Sequence, residues 1–398
     1  MTWLARCLPV TALFTAALSC TNGSADDVVA PPVALSTSIS EAIWQLEPEP
    51  DFEFGADESG PLFHRLDQAL WLSDGRIVVV DQGASRLHHF DPAGGYLESW
   101  GAPGFGPGEF RFISGVAEST GGTLVAFDYV TSRFTEFDAQ GEVVRTIRVE
   151  PPEFDDVWIG SYRLEAMTPA GEAVMVPRML PVFPNPPPGV EFSERPVLLF
   201  RDGHWRTVND GVVWARELWS DGRVQLDLPF GSHSFATTGN GYVFSARGVD
   251  GTIRVVELGG EERRVIELDV ERPRITSEVV DAYIEARVAE IPSASDRRSA
   301  RGFWEGIPFP DSAPPFDGLV VAEDGSLWIR LLDPLTIGSP EGLQRWSVLD
   351  RDGRSVAVLD LPPSLEVVAI QDEFLLGIQT DSLGVQTLRG HRVVQESE

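Results

Sequence analysis

The chain contains no lysine, so all 31 basic residues are arginine, and they are outnumbered by 61 acids to leave a formal net charge of -30. A surface of that sign repels phosphate backbones, which excludes nucleic acid as a partner. Cysteine is almost absent. Cys7 and Cys20 are the two copies, both in the first twenty residues, so the remainder of the chain can hold neither a disulfide nor a Cys-ligated metal. No apolar run is long enough to span a bilayer, the longest candidate being Cys7 to Leu18 behind Arg6. Gly-x-Ser-x-Gly elbows, phosphate loops and dinucleotide fingerprints are missing too, which removes the commonest nucleophilic and nucleotide-dependent chemistries. What is abundant is glycine (38), proline (30) and tryptophan (11), a composition suited to many short strands, tight turns and aromatic packing between sheets.

The apolar run after Arg6 has the length of a signal-peptide core. Ala17-Leu18-Ser19-Cys20 resembles a bacterial lipobox, which implies a lipoprotein-type signal over 1–20 with Cys20 lipidated. Ordinary cleavage at the same place would instead release a soluble secreted protein. Residues 21–40, rich in Ala, Ser, Pro and Asp, read as a flexible tether, and 41–398 as the folded domain. The protein is thus expected to be exported, touching a membrane only through a lipid, and monomeric.

Gly75 to Gly94 superimposes without a gap on Gly122 to Gly141, an offset of 47 residues. Asp81 falls on Asp128, Arg86 on Arg133, and Phe90-Asp91 on Phe137-Asp138. Each copy reads turn, apolar strand, Asp, turn, Ser-Arg, second strand and turn, which is the grammar of a propeller blade. Recurrence of the Asp and Arg favours a structural tie over catalysis. Looser copies begin at Gly171, Gly241, Gly325 and Asp372. The expected fold is an all-β, six-bladed β-propeller. Its last copy lacks an outer strand, so Ala42 to Leu46 is expected to close the ring on Leu388 to Val393. One helical insertion is expected over about 276–292, where Val280, Ile284, Val288 and Ile291 share a face, Thr276 or Ser277 caps and Pro292 stops.

The connector Gly101-Ala-Pro-Gly-Phe-Gly-Pro-Gly-Glu-Phe110, followed by Asp128 and Arg133, resembles the Gly-x-Gly-Pro-Gly-Glu-Phe connectors of NHL-repeat and related bacterial six-bladed propellers. Leu228-Pro-Phe-Gly231, Val279 to Glu285 and Asp381 to Val385 extend the likeness to a group of exported propellers, many of them lipoproteins. The resemblance spans nearly all of the chain after the leader, with the third and fourth units matching the repeat poorly. It implies a fold. It does not imply an activity, because propellers host binding, scaffolding, lyase and lactonase functions alike.

Innermost propeller strands line the central axis, so residues eight positions before each repeat turn should converge. These are Asp67, Ser114, Arg163, His233, Asp317 and Ser364, all polar. They describe either a solvated channel mouth or a ligand pocket built on Arg163 and His233. A metal reading uses His64, His233 and Asp317 with Zn²⁺ or Ca²⁺. The other histidines, His88, His89, His204 and His391, fall on outer strands, a turn and the C-terminal end, so no three-histidine set forms. The leading expectation is a cofactor-free binding or scaffold module for a protein, peptide or glycan. The alternative is a divalent-metal hydrolase or lyase of lactonase-like or NHL-lyase-like type, sited on the axis.

Overall fold

A computed structural model describes residues 33–40, 42–55, 60–150, 162–178, 186–208, 213–258, 263–289, 291–336 and 342–395. The expected signal peptide, Cys20 and most of the expected tether lie outside them. The first copy of the repeat is an antiparallel meander of Leu66–Trp71, Ile77–Asp81, Arg86–Phe90 and Tyr96–Trp100. Its second strand is buried at every position, because neighbouring sheets cover both faces, whereas the outer strand is mostly exposed. The second copy repeats this with Ile113–Glu118, Leu124–Asp128, Arg133–Phe137 and Val143–Arg148. Between the two, Phe110 is fully buried among Val80, Leu87, Trp100 and Phe137, so the connector is pinned in the seam between blades.

The repeated charges hold the connectors rather than each other. The buried carboxylate of Asp81 accepts from the backbone N–H of His64 (2.9 Å), Arg65 (3.0 Å) and Ala84 (3.0 Å). Asp128 accepts equivalently from the N–H of Arg111, Val130 and Thr131. Arg86 donates to the Gly101 carbonyl (2.9 Å), and Arg133 to those of Phe105 and Glu109. The first pair ties its blade to the chain entering and leaving it, and the second ties its blade twice to the chain entering it.

The expected six-bladed propeller with one helical insertion needs correction. Among the described residues, five sheets have blade proportions. Four contain four strands each, and the fifth joins Leu365–Gln371, Phe374–Thr380 and Gln386–Gln395 to Trp44–Leu46 and Phe52–Phe54. The remaining large sheet has eight strands and is not a blade of the repeat type. It is enlarged because Gly189–Pro196 pairs along its length with Val213–Ser220, and because Val33–Ser38, within the stretch read as tether, adds in parallel to Arg263–Asp269. The helical material is two helices, α1 (Ser277–Val288) and α2 (Ala294–Glu305). The first is capped by Thr276 and buries Val279, Tyr283, Ile284 and Val288. The second, capped by Ser293, fully buries none of its residues and packs half-buried Phe303 and Trp304 against Trp219 and Tyr283.

Trp44–Leu46 pairs antiparallel with Val393, Val394 and Gln395, so of the expected partners Leu388 to Val393 it takes Val393 alone; Ala42 and Ile43 meet Val358 of the preceding sheet, and Phe52–Phe54 takes Leu388, Arg389 and Gly390. Innermost strands of successive sheets meet in a closed circle, which the eight-stranded sheet enters through His233–Gly239. The circle surrounds an axial cavity. No described helix is long and apolar enough to cross a membrane.

Candidate functional site in the axial channel

The innermost strands share a defect. Their pairing with the next strand slips between Leu66 and Gln68, Ile113 and Val116, Leu164 and Ala166, Phe316 and Gly318, and Val367 and Ala369. A β-bulge leaves a residue out of the ladder and re-aims its side chain. Counting eight residues back from the turn finds the bulge at Asp67, Ser114 and Asp317. In the third sheet the bulge moves to Glu165, in the last to Val368, and the strand of His233 pairs without a slip.

The cavity is about 540 Å³, and its charged end, where the innermost strands begin, presents Asp67, Arg163, Glu165, Arg178, Arg330 and Glu366. Arg163 approaches Asp67 across the second blade, Nη1 to Oδ2 at 3.8 Å, while its Nε and Nη2 engage Glu165 at 2.7 and 2.5 Å. Arg178 reaches the other oxygen of Asp67 at 3.5 Å. The crossing depends on Gly115. Its φ is +99°, and a Cβ there would lie 2.6 Å from Cγ of Arg163 and 2.2 Å from the Leu164 carbonyl. Gly318 similarly leaves space for Arg330, whose Cβ and Nε would lie 3.1 and 3.4 Å from an added Cβ, and whose Nε donates to Asp317 at 2.5 Å.

The six registered residues divide between places. Asp67 and Arg163 line the channel together. The Ser114 hydroxyl is buried and donates to the Tyr162 carbonyl (2.9 Å), joining the second and third innermost strands. His233 has its ring nitrogens 3.1 Å from the Gly231 carbonyl and 3.2 Å from that of Phe316, and burial, with Arg216 beside it, lowers its pKa to about 4. A neutral imidazole donates only one of those bonds. Burial raises the Asp317 carboxyl above its usual range, against the opposing pull of Arg330 and Arg216. Asp317 and Ser364 face a second cavity of about 710 Å³ beside Gln344 and Asp381, where the Ser364 hydroxyl is engaged by the Gln379 amide.

His64, His233 and Asp317 do not come together. His64 is a surface residue 3.6 Å from Asp81, and among the described residues no group of three His, Cys, Asp or Glu is placed to hold a metal. Arg178, Arg330, Glu165 and Glu366 were missed by the sequence registration. Two of them, Arg178 and Arg330, stand on or just after second strands and reach the axis by their length, and for Arg330 the legible trace is Gly318 beside it.

Burial first, then the adjacent Arg163, lowers the pKa of the Arg178 guanidinium, while Asp67, Glu165 and Glu366 oppose the shift. Its 42% exposure is to the lumen it lines.

No protein-family description matches the chain, and no curated protein does. Solved structures similar to it include a putative exported protein from Bacteroides fragilis, 11% identical over 92% of this chain and 100% of that one, with a TM-score of 0.48. A virginiamycin B lyase from Staphylococcus aureus is 11% identical over 88% and 99% (TM-score 0.42), and a gluconolactonase from Xanthomonas campestris is 13% identical over 83% and 86% (TM-score 0.41). At these identities and scores they bear on neither activity nor ligand.

Proposed function

We propose that the protein is an exported binding propeller, anchored by a lipid on Cys20, whose axial channel holds part of a peptide, protein or glycan ligand. The supporting observation is the channel's charged end. Side chains from four sheets converge on one cavity of about 540 Å³, within the size range of ligand pockets, and hydrogen-bonding capacity remains there after internal pairing. Beyond these charges the walls mix apolar residues such as Ala69, Leu319 and Ala369 with polar ones such as Thr237 and Gln371.

Trp71 and Trp346 line the same cavity and serve as reporters. Titration of the purified protein with peptide and glycan panels should change tryptophan emission saturably, and Arg178→Gln should weaken the response about tenfold or more, the scale of losing a charge-assisted contact. Ligand binding that is indifferent to Arg163→Gln and to Arg178→Gln would refute the channel as the site.

A further inference from the structure

Resting on the channel reading above, we infer that the site takes a small zwitterion, a free amino acid or short peptide whose carboxylate sits on Arg178 and whose ammonium sits on Glu366. The three arginines at the charged end are not equally engaged. Arg163 has Nε and Nη2 on Glu165, and Arg330 donates to Asp317 and Gln344. Arg178 makes one contact among the described residues, at 3.5 Å to Asp67, although a guanidinium carries five donors in a planar fork that matches a carboxylate.

The acids show the same asymmetry. Asp67 lies between Arg163 and Arg178, and Glu165 is held by Arg163. Glu366 comes from the last sheet, whose innermost strand neighbours that of Asp67 on the side away from the third blade. Its side chain is exposed in the lumen and makes no hydrogen bond or ion pair among the described residues, yet it is within electrostatic reach of Arg178. One under-engaged cation and one unengaged anion thus face the same cavity without closing on each other.

The surrounding charges disfavour ligands of a single sign. A purely anionic ligand would meet five acids, Asp67, Glu118, Glu165, Glu323 and Glu366, and a purely cationic one would leave Arg178 with Asp67 alone and stand beside two further arginines, Arg163 and Arg330. Like charges brought close together repel. A ligand carrying both signs satisfies Arg178 and Glu366 together and leaves the internal pairs intact.

The test uses the mature chain and calorimetric titration with free amino acids and dipeptides, each dipeptide also in N-acetylated and C-amidated form. Free-ended compounds should bind, and blocking either end should weaken binding at least about tenfold. Arg178→Gln should abolish discrimination against the amides, and Glu366→Gln discrimination against the acetylated forms, with unchanged far-ultraviolet circular dichroism in both variants. Absence of binding by every free-ended compound at millimolar concentration overturns the inference. So does a ligand indifferent to end-blocking; if that ligand still requires Arg163, the channel remains the binding site and only its proposed chemistry is lost.

Discussion

The Arg163 side chain lies across the bare backbone of Gly115, and this allows an arginine of the third blade to face Asp67 of the first. Gly115→Ala should therefore cost both stability and channel geometry. A non-glycine residue at φ +99° is strained by about 1–3 kcal/mol, and the added methyl collides with the Leu164 carbonyl. A melting temperature at the wild-type value would show that the strand relaxes without penalty.

Asp81 is fully buried, and its carboxyl is held far below the usual carboxylate range. Burial alone would raise it, but the nearby His88 ring, with Nε2 3.8 Å from the carboxylate, and the N–H groups of Arg65, His64 and Ala84 outweigh that. The group's contribution is complete above the unfolded carboxylate value near 4 and is lost as pH falls below it toward the depressed folded value. Asp81→Asn removes the charge and turns an amide N–H₂ toward backbone donors. Denaturant melts at pH 7 should show a loss of about 2–4 kcal/mol, shrinking as the comparison is made in stronger acid.

His89 should be a cost to the fold. It is completely buried, with both ring nitrogens unpartnered and its ring centroid 3.8 Å from that of Trp100, and burial, then Arg76 and His88, lowers its pKa to about 3. His233 is lowered to about 4. Both depressed values mean that the unfolded chain takes up protons first, so stability is greatest above about 6.5 and falls as pH drops from there toward 4 and 3. His89→Phe should flatten part of that slope without lowering stability at pH 7. A slope unchanged in both His89→Phe and His233→Gln would refute the assignment.

Cys20→Ser tests the anchor. Metabolic labelling with a tagged fatty acid should mark the wild-type chain and leave the variant unmarked and extractable without detergent. Label retained on the variant would remove Cys20 as the lipid site.

The repeat, the buried connector at Phe110 and the pairing of Trp44 to Leu46 with the last strand were legible because each is written in short, contiguous patterns of turn glycines and apolar residues. Asp81 and Asp128 were legible as structural, although their partners, the N–H groups of the entering connector, were not the arginines suggested by spacing. The second helix was missed because Pro292 reads as the end of the helical stretch, although Ser293 caps it and Ala300, Phe303 and Trp304 recur at helical spacing. The eight-stranded sheet left none either, because strand length does not say which neighbour a strand will choose.

Sequence by itself determined the local grammar, strand and turn repeated at a fixed period, because backbone propensity and amphipathic alternation act over a few residues. Tertiary structure alone decided the contents of the channel. Arg178 and Asp67 stand 111 residues apart in the chain, and no local rule relates them. Their meeting follows from ring closure and a bulge that turns Asp67 inward.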